Sequence, residues 1–264
     1  MQFDLDADVP VHWVADSKFM THFYNALSVV FPEGEKFFVR SVRQYEDRIT
    51  DPELREQVRG FCAQEGHHTF QHRELNARVA QHGFSTTRWD RWVKGYLRFV
   101  WAILWPKARL ALTCALEHYT AVMGNQLLAY PEQQAPVHSK MLPLWLWHAV
   151  EETEHKAVAY DVYQHVGGGY FTRVLLQLMA SLTFFPIVHG IQLRLMLEDR
   201  AAPTRLRDIC RGIYFLWGKP GGLRRMLPEL FSYFRPGFHP WDHDNRELID
   251  QWKRSQGAID HIRA

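Results

Sequence analysis

The sequence predicts an all-α protein, a bundle of four long helices with additional C-terminal helices, and three observations carry that prediction. No stretch sustains the period-two alternation of a half-buried strand, whereas apolar residues recur at helical spacing along most of the chain. Proline and glycine punctuate the sequence at intervals that suit long helices. The pattern Glu-x-x-His occurs twice, as Glu65-Gly-His-His68 and as Glu152-Thr-Glu-His155. Three residues is close to one helical turn, so each Glu and its His leave the same face of a helix.

The elements follow in order. Pro32 suits a first helical turn and is expected to open a helix that runs to about Ile49. Thr50-Asp51-Pro52 marks a break, and the next helix runs to about Gln81, where His82-Gly83 stops it. A third covers roughly residues 89–130, with Pro106 kinking or dividing it. Pro131 and Pro136 mark the turn into a fourth, which extends to about His165 and ends at Gly167-Gly168-Gly169. Residues 170–264 suggest three or four further helices separated by Pro203, Pro220-Gly221-Gly222 and Pro236-Gly237. In domain terms, residues 1–170 form the bundle and 171–264 a helical extension packed on it.

Composition narrows the function classes. With 47% hydrophobic and 14% aromatic residues in 264, the chain has ample material for a core and is neither disordered nor fibrous. A net charge of +2 with scattered arginines leaves no footprint for nucleic acid. Cys62, Cys114 and Cys210 form no Cys-x-x-Cys and cannot all pair, which fits a reducing cytoplasm. The start, Met1 to Asp8, is acidic and lacks the basic and apolar regions of a signal peptide. Residues 174–197 are long and apolar enough to cross a bilayer, yet Gln177, Pro186, His189, Gln192 and Arg194 are expensive in lipid. A buried or interfacial helix is expected there, one that caps the bundle, touches a membrane peripherally or pairs two copies as a homodimer. No GxGxxG opens a βαβ unit, and P-loop, GxSxG and His-Glu-x-x-His motifs are absent.

Helical faces decide which carboxylates point inward. Glu35 shares its face with Phe38, Val39, Val42 and Ile49, whereas Glu33 sits with Lys36, Phe37, Arg40 and Gln44 and reads as a first-turn residue favoured by the helix dipole. Glu65 lies with Val58, Phe61, His68, His72 and Val79, and Glu117 with Leu110, Thr113, Cys114, Ala121 and Gly124. Glu152 lies with Trp145, His148, His155 and Ala159. Each pair of predicted helices thus offers one lone Glu and one Glu-x-x-His. Four carboxylates on apolar stripes cost several kcal/mol each if left unpaired. Two divalent cations would neutralise them, and imidazoles would complete the coordination.

This layout resembles the ferritin-like di-iron carboxylate proteins, in which two helices give a Glu each and two give Glu-x-x-His. By that resemblance Glu35, Glu65, His68, Glu117, Glu152 and His155 are metal ligands, with Glu65 and Glu152 bridging. The strings FPEGEKFFVRSVRQYEDRI, FCAQEGHHTFQHRELN, LTCALEHYTAV and WLWHAVEETEHKAVAYDVY are also similar to the bacterial family named predicted metal-dependent hydrolases, over about residues 30–170. Extra histidines depart from the plain ferritin-like pattern. His72 and His148 stand one turn from His68 and Glu152, as further ligands or as hydrogen-bond donors to them. Glu151, and Gln64 in the parallel position, are placed to orient a ligand histidine from behind, with Asp161 and Tyr119 as weaker candidates. The tryptophans (Trp89, Trp92, Trp101, Trp105, Trp145, Trp147) form core or line an apolar chamber.

Oxygen and nitrogen donors around two ions suit iron, with manganese or a mixed Mn/Fe pair as the alternative. The reading that follows is a di-iron oxidase or oxygenase acting with O₂ on a small apolar substrate. A dimetal hydrolase, as the family's name suggests, and an iron-storage protein are the alternatives.

Overall fold

The computed structural model describes Phe3 and residues 8–263, with side chains through residue 256. The acidic start therefore lies outside the described residues except for Phe3 and Asp8. Helix α1 (Lys18–Arg43) begins well before Pro32, capped by Ser17, whose side chain accepts from the Met20 amide. Pro32 thus lies inside a helix and not at its start. A mid-helix proline leaves the carbonyl four residues earlier without its donor. Here that carbonyl belongs to Ser28, and the Asn76 side-chain amide donates to it at 2.9 Å. Glu33 is consequently mid-helix and buried, held by Lys36 at 2.5 Å and Arg73 at 3.3 Å.

Helix α2 (Pro52–Gln81) starts and stops where the sequence places it. The Asp51 side chain accepts from the Glu53 and Leu54 amides, and Gly83 takes a φ of +90° just past the end. Pro106 divides the predicted third helix in two, giving α3 (Thr86–Ile103) and α4 (Pro106–Ala129). After the single turn α5 (Pro131–Gln134), the predicted fourth helix appears as α6 (Leu142–His155) and α7 (Val158–His165). It begins later than Pro136 suggests and breaks directly after His155. At that break Lys156 is drawn aside, its Nζ donating to the His243 carbonyl and to Asn245 Oδ1, both at 2.7 Å. Four helices follow: α8 (Tyr170–Glu198), α9 (Leu206–Ile213) with a π turn at Tyr214–Gly218, α10 (Gly222–Ser232) and α11 (Arg246–Arg263).

The bundle consists of α1 packed along α2 and α4 packed along α6 and α7, with α1 also touching α4 and α2 touching α6. Gly124 lets α4 and α6 approach closely, since a Cβ there would lie 2.9 Å from the Ala149 carbonyl oxygen. Outside this layer α3 and α8 lie on α1, α8 also covers α4, and α10 and α11 pack on α4 and α6. One buried apolar cluster runs through all of them, from Phe38 and Phe61 through Leu110 and Leu144 to Leu176 and Leu223. Among the described residues the only β pairing is a single bridge between Val14 and Val137, which straps the N-terminal segment over the turn before α6. The fold is all-α, a four-helix bundle with additional helices.

Candidate metal centre

The bundle brings all six predicted residues together in its interior. Glu35 comes from α1, Glu65 and His68 from α2, Glu117 from α4, and Glu152 and His155 from α6, none more than 3% exposed. His155 Nε2 lies 3.1 Å from Glu65, 3.5 Å from Glu117 and 3.7 Å from Glu152. His68 Nδ1 lies 3.3 Å from Glu152 and 3.9 Å from Glu65. The donor atoms form overlapping groups: Glu65, Glu117, Glu152 and His155 make one, and Glu35, Glu65 and His68 another. A third joins His68, His148 and Glu152. A fourth joins Glu35, His72 and His148, so Glu35, Glu65, His68, His148 and Glu152 each belong to two groups.

The surroundings hold these side chains from behind. Gln64 Oε1 accepts from His155 Nδ1 at 3.0 Å, so the Nε2 of that ring faces the carboxylates. Glu151 Oε2 lies 3.1 Å from His68 Nε2, so His68 presents Nδ1 instead. Thr69 donates to Glu35 at 2.8 Å, and Trp147 donates to Glu151 at 2.7 Å. The sequence reading missed both. Trp147 and Glu151 stand four apart on one helix and could have been paired from spacing, but Thr69 meets Glu35 only through the packing of α1 on α2.

His72 and His148 resolve into a chain. Ser28 Oγ is 3.0 Å from His72 Nδ1, His72 Nε2 is 2.6 Å from His148 Nδ1, and His148 Nε2 is 2.8 Å from Glu152 Oε1. One assignment of hydrogens satisfies every link, with each group donating towards Glu152. His72 supports His148 through this chain, and its ring also lies with Glu35 and His148 in a buried group of possible ligands. Asp161 and Tyr119 are not at the site: Asp161 pairs with His239 at 2.9 Å, and the Tyr119 hydroxyl donates to Ser181 at 2.7 Å. Of the tryptophans, Trp147 sets its ring 5.0 Å from His68 and Trp145 its ring 5.5 Å from His72.

A cation fits this donor set. Glu65 and Glu117 use neither carboxylate oxygen in a hydrogen bond, nor do Glu35 Oε1, Glu152 Oε2, His155 Nε2 or either nitrogen of His68. Buried polar atoms are rarely left so, and no lysine or arginine reaches them. Titration tells the same story. Burial pushes the Glu35 carboxyl up to about 8, and burial with the neighbouring carboxylates raises Glu65 and Glu117 further. Burial opposes charge on His68, but Glu151, Glu152 and Glu65 overcome it and lift the ring to about 10. Burial likewise works against Glu152, yet the His148 hydrogen bond and the close His155 and His68 rings hold it well below its usual range. Acid groups that keep protons only for want of positive charge are groups a divalent cation would deprotonate.

His12, His22 and Asp199 form a separate buried cluster. It behaves differently: both rings reach Asp199 Oδ2, at 2.7 and 2.9 Å, and the Asn25 amide reaches the other nitrogen of His22. These groups satisfy one another and clamp the N-terminal segment to the end of α8.

An apolar pocket reaches the main cluster. Phe31, Met123, Leu127, Trp145, Leu216 and Leu223 are among its walls, and the buried His148 and Glu152 also line it. It encloses about 740 Å³ of empty space including its open mouth, and no lysine or arginine lines it.

Comparison with known proteins gives one match. The family described as Predicted metal-dependent hydrolase matches residues 1–244. No curated protein and no solved structure matches the chain.

Proposed function

The chain belongs to the predicted metal-dependent hydrolases, and from that premise we propose that it hydrolyses an apolar ester or amide with two metal ions held in the bundle. The observation that carries this reading is the pocket. It is walled by hydrocarbon, and Glu152 and His148 also line it, beside carboxylate oxygens that have no other partner. A pocket without lysine or arginine suits an acyl or alkyl chain better than a phosphoester.

Glu35, Glu65, His68, Glu117, Glu152 and His155 would hold the two ions. Bound ions would supply Lewis acidity for a carbonyl oxygen and make water nucleophilic at neutral pH. The chain's own residues do the rest. Gln64 and Glu151 fix the two histidine rings, and the run from Ser28 through His72 and His148 fixes Glu152 Oε1. The apolar wall would keep bulk water from the reacting bond.

The test is turnover of p-nitrophenyl esters of graded chain length by metal-loaded protein, under air and under argon. The reading expects kcat/KM to rise with chain length, to be the same under both gases, and to fall at least about 100-fold in Glu152→Ala. A second reading, oxidation of an apolar substrate with O₂, draws on the donor set itself, four carboxylates and two histidines as two lone Glu and two Glu-x-x-His. Turnover that stops under argon and consumes O₂ in air would move the assignment to that reading.

A further inference from the structure

Helix α8 keeps a continuous apolar stripe in water. Phe171, Leu175, Leu178 and Leu182 follow at steps of three or four residues, Pro186 and Gly190 continue the row, and Leu193 and Leu197 end it. Phe171 is 85% exposed and Leu182 75%, where isolated surface leucines would need no explanation but a row of them does. Between Arg173 and Arg194 the helix carries no charge, and Arg173 is turned inward onto the Tyr233 and Arg235 carbonyls. The opposite face packs on α1 and α4 with Gln177 fully buried and Gln192 donating to the Phe19 carbonyl, so one side of this long apolar helix is already taken up by protein.

Helix α9 meets the end of α8 at Phe19, whose carbonyl takes Gln192 and whose ring abuts Gly212, and it supplies the other half of the chemistry. Leu206, Ile213 and Trp217 are exposed on one side. Arg200, Arg205, Arg207 and Arg211 are exposed around it, and their side chains form no hydrogen bond or ion pair among the described residues. The one acid of α9, Asp208, is taken up by the Ser17 hydroxyl at 2.6 Å and the Phe19 amide at 2.9 Å. The helix is pressed onto α1, because any Cβ at Gly212 would collide with the Phe19 ring. A short helix with an apolar outer edge, flanking arginines and an aromatic end has the composition of a segment that lies in a lipid interface.

We propose that the outer face of α8 together with α9 docks this protein on an anionic lipid bilayer, lying in the interface. The unpaired arginines argue for lipid phosphates over a second copy of this chain, since a two-fold pairing through this face would bring the same cationic row against itself. The docking stands independently of the catalytic reading. One consequence rests on that reading: Phe215 and Leu216 line the pocket and neighbour exposed Tyr214 and Trp217, so the pocket mouth adjoins the lipid from which an apolar substrate would enter.

The experiment is flotation of the full-length, metal-loaded protein with phosphatidylcholine vesicles, with and without phosphatidylglycerol. The expected result is binding at least about tenfold stronger to the anionic vesicles, weakened by salt. Arg207→Glu with Arg211→Glu, and separately Leu182→Ser with Trp217→Ser, should each lower it at least about tenfold while circular dichroism and metal content stay unchanged. The proposal is overturned by folded protein that floats with neither vesicle, or by binding indifferent to phosphatidylglycerol and to both variants. It is equally overturned by a dimer, seen by light scattering, that Leu182→Ser dissociates without altering flotation.

Discussion

Gln64 and Glu151 each stand one residue before the Glu of a Glu-x-x-His, and each reaches across the bundle to the histidine of the other copy. The symmetry is broken in chemistry: an amide backs His155, whereas a carboxylate backs His68 and makes it the stronger donor. Two ions held there would therefore be unequal. Glu151→Gln should weaken one ion by about 10- to 100-fold and leave the other nearly unchanged, read as two separated steps in a competition titration with a chelator. A single unshifted step would contradict the inequality. These cross-braces were legible in the sequence because both occupy the same place relative to a repeated motif. Of the chain from Ser28 to Glu152, the last link was legible from the four-residue spacing of His148 and Glu152. The links from Ser28 to His72 and from His72 to His148 join different helices, and no spacing in one helix reveals them.

At the scale of elements, the two places where sequence and structure differ most have local causes. Pro32 reads as a helix start, but Asn76 on α2 supplies the donor that the proline ring removes, and α1 runs through. Asn76→Ala should leave the buried Ser28 carbonyl unpaired and cost about 1–3 kcal/mol in denaturant unfolding. An unchanged midpoint would mean that the helix tolerates Pro32 by other means. Glu33 was misplaced for the same reason, since a residue after a presumed N-terminal proline looks like first-turn charge. Breaks at Leu104–Trp105 and Lys156–Ala157 have weaker signals: Pro106 announces the first, while the second depends on partners near residue 243. Gly124, by contrast, has a clear demand on it. Gly124→Ala should push α4 from α6 and destabilise by about 1–3 kcal/mol, visible as a lower thermal midpoint.

Over the whole molecule, stability and metal loading are linked through pH. Burial holds the Glu35 carboxyl near 8 against an ordinary value of 4.5, so between these values the folded chain keeps a proton that the unfolded chain has lost. Buried His22, His72, His118 and His148, all lowered, oppose this below about pH 6.5. Metal-stripped protein should accordingly lose stability as pH rises from there towards about 8, with Glu65 and Glu117, also raised, adding to the slope. A cation exchanges for those protons, so the thermal midpoint gained on metal loading should widen from about pH 5 to about pH 8. A gain that shrinks over that range would show that the carboxylates are not what the ions displace.

The most direct measurement is the metal content of the protein after anaerobic loading with Fe(II) or Mn(II) and removal of excess, by elemental analysis against chain concentration. The account predicts two ions per chain in the native protein and at most one, weakly held, in folded Glu65→Ala. Native protein that retains fewer than two, or Glu65→Ala that still retains both, would contradict it.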